Sequence, residues 1–355
     1  MKRKLLFLSF VIALAFVSCN NKKETPQPTP EPATKGLFIL NEGTFTYANS
    51  SLSFYDFDKN EAENNLFFRK NNAPIGDVGQ SLALIGNDLY IVVNNSKYIY
   101  KVNARTIEYE AKIEGFTSPR YMIPVGNNKA YVSDLESRGL WVVNLSTLEK
   151  SFFETGNTTE AMVKVGDEVF VTNWSNYYTN GETSNKTVQV IDCVNDTVVA
   201  EIEVAQEPNA IVVDKYNHVW VSCSGGYMPP CDPAIICIDA ATHQIIKRFD
   251  LAEGSYPSGL AIDGAGENVF FMNGGYGTLN IYKMSVDATE IPENPFITPG
   301  TRVFYNIKVN PENGDIYVTD AKNYVQNGDL LRYSADGTLL STFELGIIPS
   351  YMLFN

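Results

Sequence analysis

The sequence predicts an all-β fold, a seven-bladed β-propeller with four antiparallel strands per blade, and three observations predict it. A short apolar run ending in a polar residue recurs seven times, as "LFILNEG", "LYIVVNN", "AYVSDLE", "VFVTNWS", "VWVSCSG", "VFFMNGG" and "IYVTDAK". Further strand-like runs follow each of these and another precedes most of them. The chain also ends on one strand more than its last unit needs, and begins its first unit one strand short.

The spacing sets the unit. The aromatic anchors Phe38, Tyr90, Tyr131, Phe170, Trp220, Phe270 and Tyr317 stand 39 to 52 residues apart, the length of one propeller blade. After each anchor comes a second run ("SLSFYDFD", "GLWVVNLS", "AIICIDAA") and then a third ("TVVAEIEV", "QIIKRFDL", "TLLSTFEL"). Before the anchors lie "YMIPV", "AMVKV", "AIVVD", "GLAID" and "NIKVN". The ending "IPSYMLFN" has the same form, so it is expected to supply the missing strand of the first blade, closing the ring and removing its open edges. Two separate β-sandwiches are disfavoured, because no linker-like stretch interrupts the chain after residue 36.

The N-terminal region reads differently. Residues 1–18 have the form of an export signal: Lys2, Arg3 and Lys4, an apolar run from Leu5 to Val17, then Ser18 before Cys19. The run is too short to span a bilayer reliably. "FVSC" resembles a bacterial lipobox, which implies that Cys19 is a lipid attachment point. Residues 19–35 then hold this cysteine and a tether with four prolines, semi-rigid and unable to form a core. The propeller is expected over 36–355.

Charge and cysteines exclude other classes. The formal net charge of −14 becomes −17 once Lys2, Arg3 and Lys4 are removed, which argues against nucleic acid. An exported setting permits disulfides, and Cys223 and Cys231, flanking the short "SGGYMPP", are candidates for a bridge; the states of Cys193 and Cys237 stay open. The cysteine spacings fit no common zinc finger, and His218 and His243 are the only histidines.

In a four-stranded blade the loop between second and third strands opens on the same face as the link into the next blade's first strand. That face collects "NEGTFTYANSS", "NNSK", "DLESR", "NWSNYYTNGETSNK", "CSGGYMPPCDP", "NGGYG" and "DAKNYVQNG". It also takes the residues ahead of each first strand: Gln80, Arg120, Glu160, Asn209, Ser258, Tyr305 and Ser350. Blades 1, 4, 5 and 7 carry the long loops, so two walls are expected at the channel mouth with a binding cleft between them.

The walls are aromatic: Tyr47, Trp174, Tyr177, Tyr178, Tyr227 and Tyr324, with Tyr276 on the short loop of blade 6. Such rings suit planar or amphipathic ligands, a macrocycle or a sugar, although single surface rings also simply cover neighbouring loops. Arg120 and Arg138 on this face either hydrogen-bond a ligand's amide or phosphate oxygens or pair with Glu136 or Glu160.

Catalysis has little to stand on. His218 ("KYNHVW") and His243 ("ATHQ") fall in turns on the far face, away from any acid–base role at the mouth. Glu160, Asn209, Asn173 and Asp320 offer oxygens for a calcium-dependent, lactonase-like enzyme, but polar strand ends are ordinary in propellers. "DFDKNE" at Asp56 lacks the glycine of an EF-hand loop.

"IYVTDAK" and "VFVTNWS" resemble the YVTN-type repeats of bacterial surface-layer and YncE-like propellers. With the lipobox, the tether and the ending "GIIPSYMLF", the chain looks like a group of propeller lipoproteins of gut-dwelling Gram-negative anaerobes. The resemblance implies a lipid-anchored outer-membrane protein, facing the cell exterior, that captures cobalamin for a TonB-dependent transporter. It implies a ligand and no cofactor. A glycan-binding or protein-docking scaffold is the alternative.

Overall fold

Strands that are apolar on both faces must be covered on both faces, and the second strand of each unit is of this kind. In the computed structural model, which describes residues 35–175, 185–226, 229–275 and 277–355, these strands are Gly36–Asn41, Asp88–Val93, Lys129–Asp134, Glu168–Asn173, His218–Cys223, Asn268–Gly275 and Ile316–Asp320. Each lies inside its own antiparallel sheet and between two neighbouring sheets. All seven anchors are buried, from Phe38 to Tyr317.

The seven sheets are the blades, and the fold is the all-β seven-bladed propeller that the repeat predicts. Their first strands are Pro349–Phe354, Gly79–Ile85, Pro119–Gly126, Met162–Val165, Pro208–Val213, Ser258–Ile262 and Phe304–Val309. These strands touch one another in a closed ring around the central channel. Closure occurs in blade 1, where the last strand pairs with the first one in sequence: Leu37 faces Phe354, Ile39 faces Met352 and Leu40 faces Tyr351.

The core is divided into packets between adjacent blades. Trp220 stacks on Phe249 at 6.2 Å between ring centroids, within the packet that joins blades 5 and 6. Tyr55, Tyr317, Phe343 and Phe354 pack together where blade 7 meets blade 1. Each fully buried ring of this size contributes ~2–3 kcal/mol relative to exposure.

Blade 6 departs from the others in its outer edge. Three strands are continuous, ending with Thr278–Ser285, and the fourth position is taken by a bridge in which Ile281 N–H donates to the Ile297 carbonyl at 2.8 Å. The segment "IPENPFITP" contains Pro292, Pro295 and Pro299, and each proline removes a donor that a longer ladder needs. One short helix, Leu66–Asn71, joins blades 1 and 2 and buries Leu66 and Phe67. Among the described residues no helix is long and apolar enough to cross a membrane.

The bridge between Cys223 and Cys231 is not formed. All four described cysteines are free thiols. Cys223 ends a central strand and points into the packet between blades 4 and 5, where burial pushes its thiol up to about 12. Cys231 is exposed, and its thiol donates to the Gly226 carbonyl. Proximity in sequence does not bring the two together because strand register turns one inward while the other stays in the loop. The export signal, Cys19 and the tether lie outside the described residues.

Candidate functional site

The ring of first strands narrows and widens with the side chains it presents. One step below the mouth the positions are Tyr351, Ser81, Tyr121, Ala161, Ala210, Gly259 and Asn306 in blades 1 to 7. Two large rings therefore fill one side, while small residues on blades 4, 5 and 6 leave space. At Gly259 (φ +54°) an added Cβ would lie 2.5 Å from Met272 Cε. The result is a cavity of about 600 Å³, bounded by Arg120, Tyr121, Glu160, Trp174, Asn209, Tyr256, Ser258, Tyr305, Lys308 and Tyr351 among others, a size suited to a small-molecule site.

Arg120 organises the mouth. Its Nε and Nη2 donate to the two Glu160 carboxylate oxygens at 2.7 and 2.8 Å, and its Nη1 donates to Gln80 Oε1 at 2.6 Å. Burial works against the guanidinium's charge, but the Glu160 carboxylate outweighs it and the net shift is upward. The cation is therefore permanent, already paired, and held in one geometry. Its Cζ also lies 5.7 Å from the Trp174 ring centroid, within cation–π range. The Trp174 indole N–H is buried and has no hydrogen-bond partner among the described residues.

A second carboxylate enters from blade 1. Tyr305 Oη donates to Glu42 Oε2 at 3.0 Å. Burial raises the Glu42 pKa, with the Tyr305 hydroxyl and the Arg120 charge offsetting part of the rise. Tyr305 in turn meets Tyr324 edge-on, ring centroids 5.9 Å apart.

The loops above are held in place by their own polar groups. In Glu42–Ser50, Thr44 N–H donates to Asn49 Oδ1 at 2.7 Å and Thr46 N–H donates to both Asp77 carboxylate oxygens at 3.0 Å. This loop presents Phe45 and Tyr47, 64% and 72% exposed. On blade 7, Tyr324 is held at φ 63°, a left-handed conformation costly for a bulky residue, and Val325 beside it is 66% exposed. Exposed rings on a backbone anchored by its own hydrogen bonds suit a contact surface.

A family profile described as a domain of unknown function (DUF5074) matches residues 35–355. The chain belongs to the DUF5074 family. No curated protein matches its sequence. Among solved structures, the DUF5074 propeller resembles a quinonprotein alcohol dehydrogenase-like protein from Bacteroides thetaiotaomicron, at 18% identity and a TM-score of 0.69, covering 90% of this chain and 78% of that one. A protein from Lactobacillus plantarum is 13% identical with a TM-score of 0.64, covering 90% and 99%. Hydrazine synthase of Kuenenia stuttgartiensis is 13% identical with a TM-score of 0.62, covering 77% and 88%. At these identities the likeness shows the fold alone, and the neighbours include enzymes.

Within the DUF5074 propeller, the mouth positions Arg120, Glu160, Asn209, Ser258 and Tyr305 do converge on one cavity, together with Trp174. Of the two alternatives for Arg120, the ion pair with Glu160 is the one formed. Arg138 does not reach the cavity lining: its Nε donates to the Gly156 carbonyl at 2.7 Å on the exposed side of blade 3. Tyr47 and Tyr324 stand on the mouth loops, whereas Tyr177, Tyr178, Tyr227 and Tyr276 lie outside the described residues. The oxygens proposed for calcium are occupied: Glu160 by Arg120, Asn209 Oδ1 by Ser222 Oγ at 2.6 Å, and Asp320 Oδ1 by the Val303 and Lys322 N–H groups. Asn173 Oδ1 accepts from Thr187 Oγ1 at 2.8 Å.

Sequence reasoning passed over Glu42, Phe45, Tyr121, Tyr256, Lys308 and Tyr351. Aligning the seven first strands position by position reveals Tyr121, Tyr351 and Lys308. Glu42, on a loop, carries no such signal.

Proposed function

We propose that this DUF5074 propeller is a lipid-anchored surface protein that captures a small nutrient, a corrinoid, at the channel mouth and delivers it to a TonB-dependent outer-membrane transporter. The observation that supports it is the mouth cavity itself, where Trp174 offers a ring face and an unpaired N–H beside a guanidinium fixed by Glu160. A corrinoid's ring edge is lined with amide groups that accept from such donors and pack on such rings. A corrinoid exceeds a cavity of about 600 Å³, so it seats across the mouth, under Phe45, Tyr47 and Tyr324, with one substituent reaching down.

The reading is of a binder. Neither histidine lines the cavity: His218 faces Asp214 and His243 faces Glu168. The carboxylates at the mouth are engaged with Arg120 and Tyr305, which suits fixed geometry more than proton transfer.

Titrating the purified protein with cobalamin tests it. Binding should quench Trp174 fluorescence and raise the melting temperature by linkage, and Trp174→Ala should weaken binding while leaving the fold intact. No response at saturating cobalamin rejects the corrinoid; signal on a glycan array in its place would favour a sugar ligand, and silence in both with a co-purifying transporter would favour a docking scaffold.

A further inference from the structure

Lys308 sits where no other blade places a polar group. The equivalent residues of the other first strands are Leu353, Ala83, Ile123, Val163, Val212 and Ala261, all aliphatic, as expected for the wall of a channel packed by its neighbours. Lys308 also occupies the waist of the channel. Together with Val212, Val213 and Ile262 it lines both the mouth cavity and a second cavity of about 500 Å³ that opens at the far end beside Lys215, Asp263 and Pro311.

Among the described residues no carboxylate lies within ion-pair distance of its ammonium. Among these residues its ammonium meets the face of Tyr351, 5.6 Å from Nζ to the ring centroid. The acidic groups of the mouth are engaged elsewhere, Glu160 with Arg120 and Glu42 with Tyr305. Burial lowers the Lys308 pKa with no charged neighbour opposing it. The side chain is half-buried, between two cavities; an ammonium partly desolvated there without a counterion is less stable than in open water, and an aliphatic residue at this point would avoid the cost, as it does in six blades. Tyr351 bounds the same cavity, and its hydroxyl, with no hydrogen bond to a described residue, is available as a second donor.

We propose that the channel waist is an anion site, in which Lys308 Nζ receives an oxygen of a carboxylate or phosphate group with the Tyr351 hydroxyl beside it. The anion completes the charge balance that the fold leaves open. Its source is either a free anion or an anionic group on the ligand at the mouth; the second case rests on the corrinoid reading, since cobalamin carries a phosphodiester in its nucleotide loop.

The test compares wild type with Lys308→Met, using inorganic phosphate and acetate as probes and chloride at equal ionic strength as control. Without anion, Lys308→Met should melt at a higher temperature than wild type, because the unpaired charge is gone. Phosphate or acetate should raise the wild-type melting temperature saturably, beyond chloride, with an affinity about tenfold or more weaker in Lys308→Met. Equal responses in the two proteins, or none in either, overturn the proposal. Lys308→Gln gives the same comparison if methionine disturbs the packing. Cobalamin then separates the sources: if it displaces phosphate and binds Lys308→Met more weakly, the ligand's own phosphate is the occupant. If it binds both proteins alike, the site takes a free anion. Failure of cobalamin to bind wild type rejects the corrinoid while the phosphate result stands.

Discussion

Removing the Arg120 side chain isolates the energetics of the mouth. Arg120→Met keeps the aliphatic stem and deletes two charge-assisted hydrogen bonds of 2.7 and 2.8 Å to Glu160. The partner's side chain is 3% exposed and that of Arg120 15%, so water from the cavity replaces the lost donors only in part. Stranding a carboxylate at that depth costs ~3–5 kcal/mol, and at ~2–4 °C per kcal/mol for a large domain the melting temperature should fall by roughly 6–20 °C. Glu160→Gln strands the cation in turn. The double variant Arg120→Met/Glu160→Gln leaves no unpaired charge and should recover most of the loss, since a buried pair contributes far less than its disruption removes. Thermal melts of all four proteins close the cycle. If the double variant loses the sum of the two singles to within ~0.5 kcal/mol, the groups are not coupled and the reasoning is wrong.

Three further outcomes are expected. Glu42 has a pKa raised mainly by burial; such a carboxyl stabilises the fold fully below its unfolded value, and that contribution is lost as pH rises through the folded one. Glu42→Gln should therefore flatten the stability decline just above the ordinary carboxylate range, and a pH profile superimposable on wild type would refute this. In native protein a thiol reagent should modify Cys231 and spare Cys193, Cys223 and Cys237 until unfolding, and a melting temperature lowered by reductant would contradict the free-thiol assignment. At Gly264 an added Cβ would sit 2.0 Å from the Pro311 carbonyl oxygen where blades 6 and 7 meet; Gly264→Ala should lose ~1–3 kcal/mol in a denaturant titration, and an unchanged midpoint would show that the turn yields freely.

The architecture was legible because burial on both sides of a strand leaves a strong periodic mark, repeated seven times with an aromatic at each centre. Ring closure followed from strand arithmetic, and the pairing of Leu40 with Tyr351 realises it. Mouth positions such as Arg120 and Glu160 were legible because the repeat places one residue of each blade at the same height. Pairing between them was not, since a side chain's choice between a neighbour and a ligand depends on reach and burial. The candidate Cys223–Cys231 bridge is absent for a related reason: loop length limits distance but says nothing of which way a strand residue points. Blade 6 shows how three prolines in "IPENPFITP" reduce an expected strand to one bridge. Lys308 was visible in the sequence as a polar letter among aliphatic ones, but only after the strands were set in register.

The closing strand also decides how the molecule can be handled. Gly36–Asn41 runs from the far face to the mouth, ~17–20 Å at the usual rise per residue, and Asn355 N–H donates to the Gly36 carbonyl at 3.0 Å. The first described strand therefore begins, and the last one ends, side by side at the rim opposite the mouth cavity, where Lys35 pairs with Glu312. A fusion, a label or a solid support joined directly after Asn355 therefore starts on the face away from the mouth, so that protein immobilised through it keeps its working face open to solution.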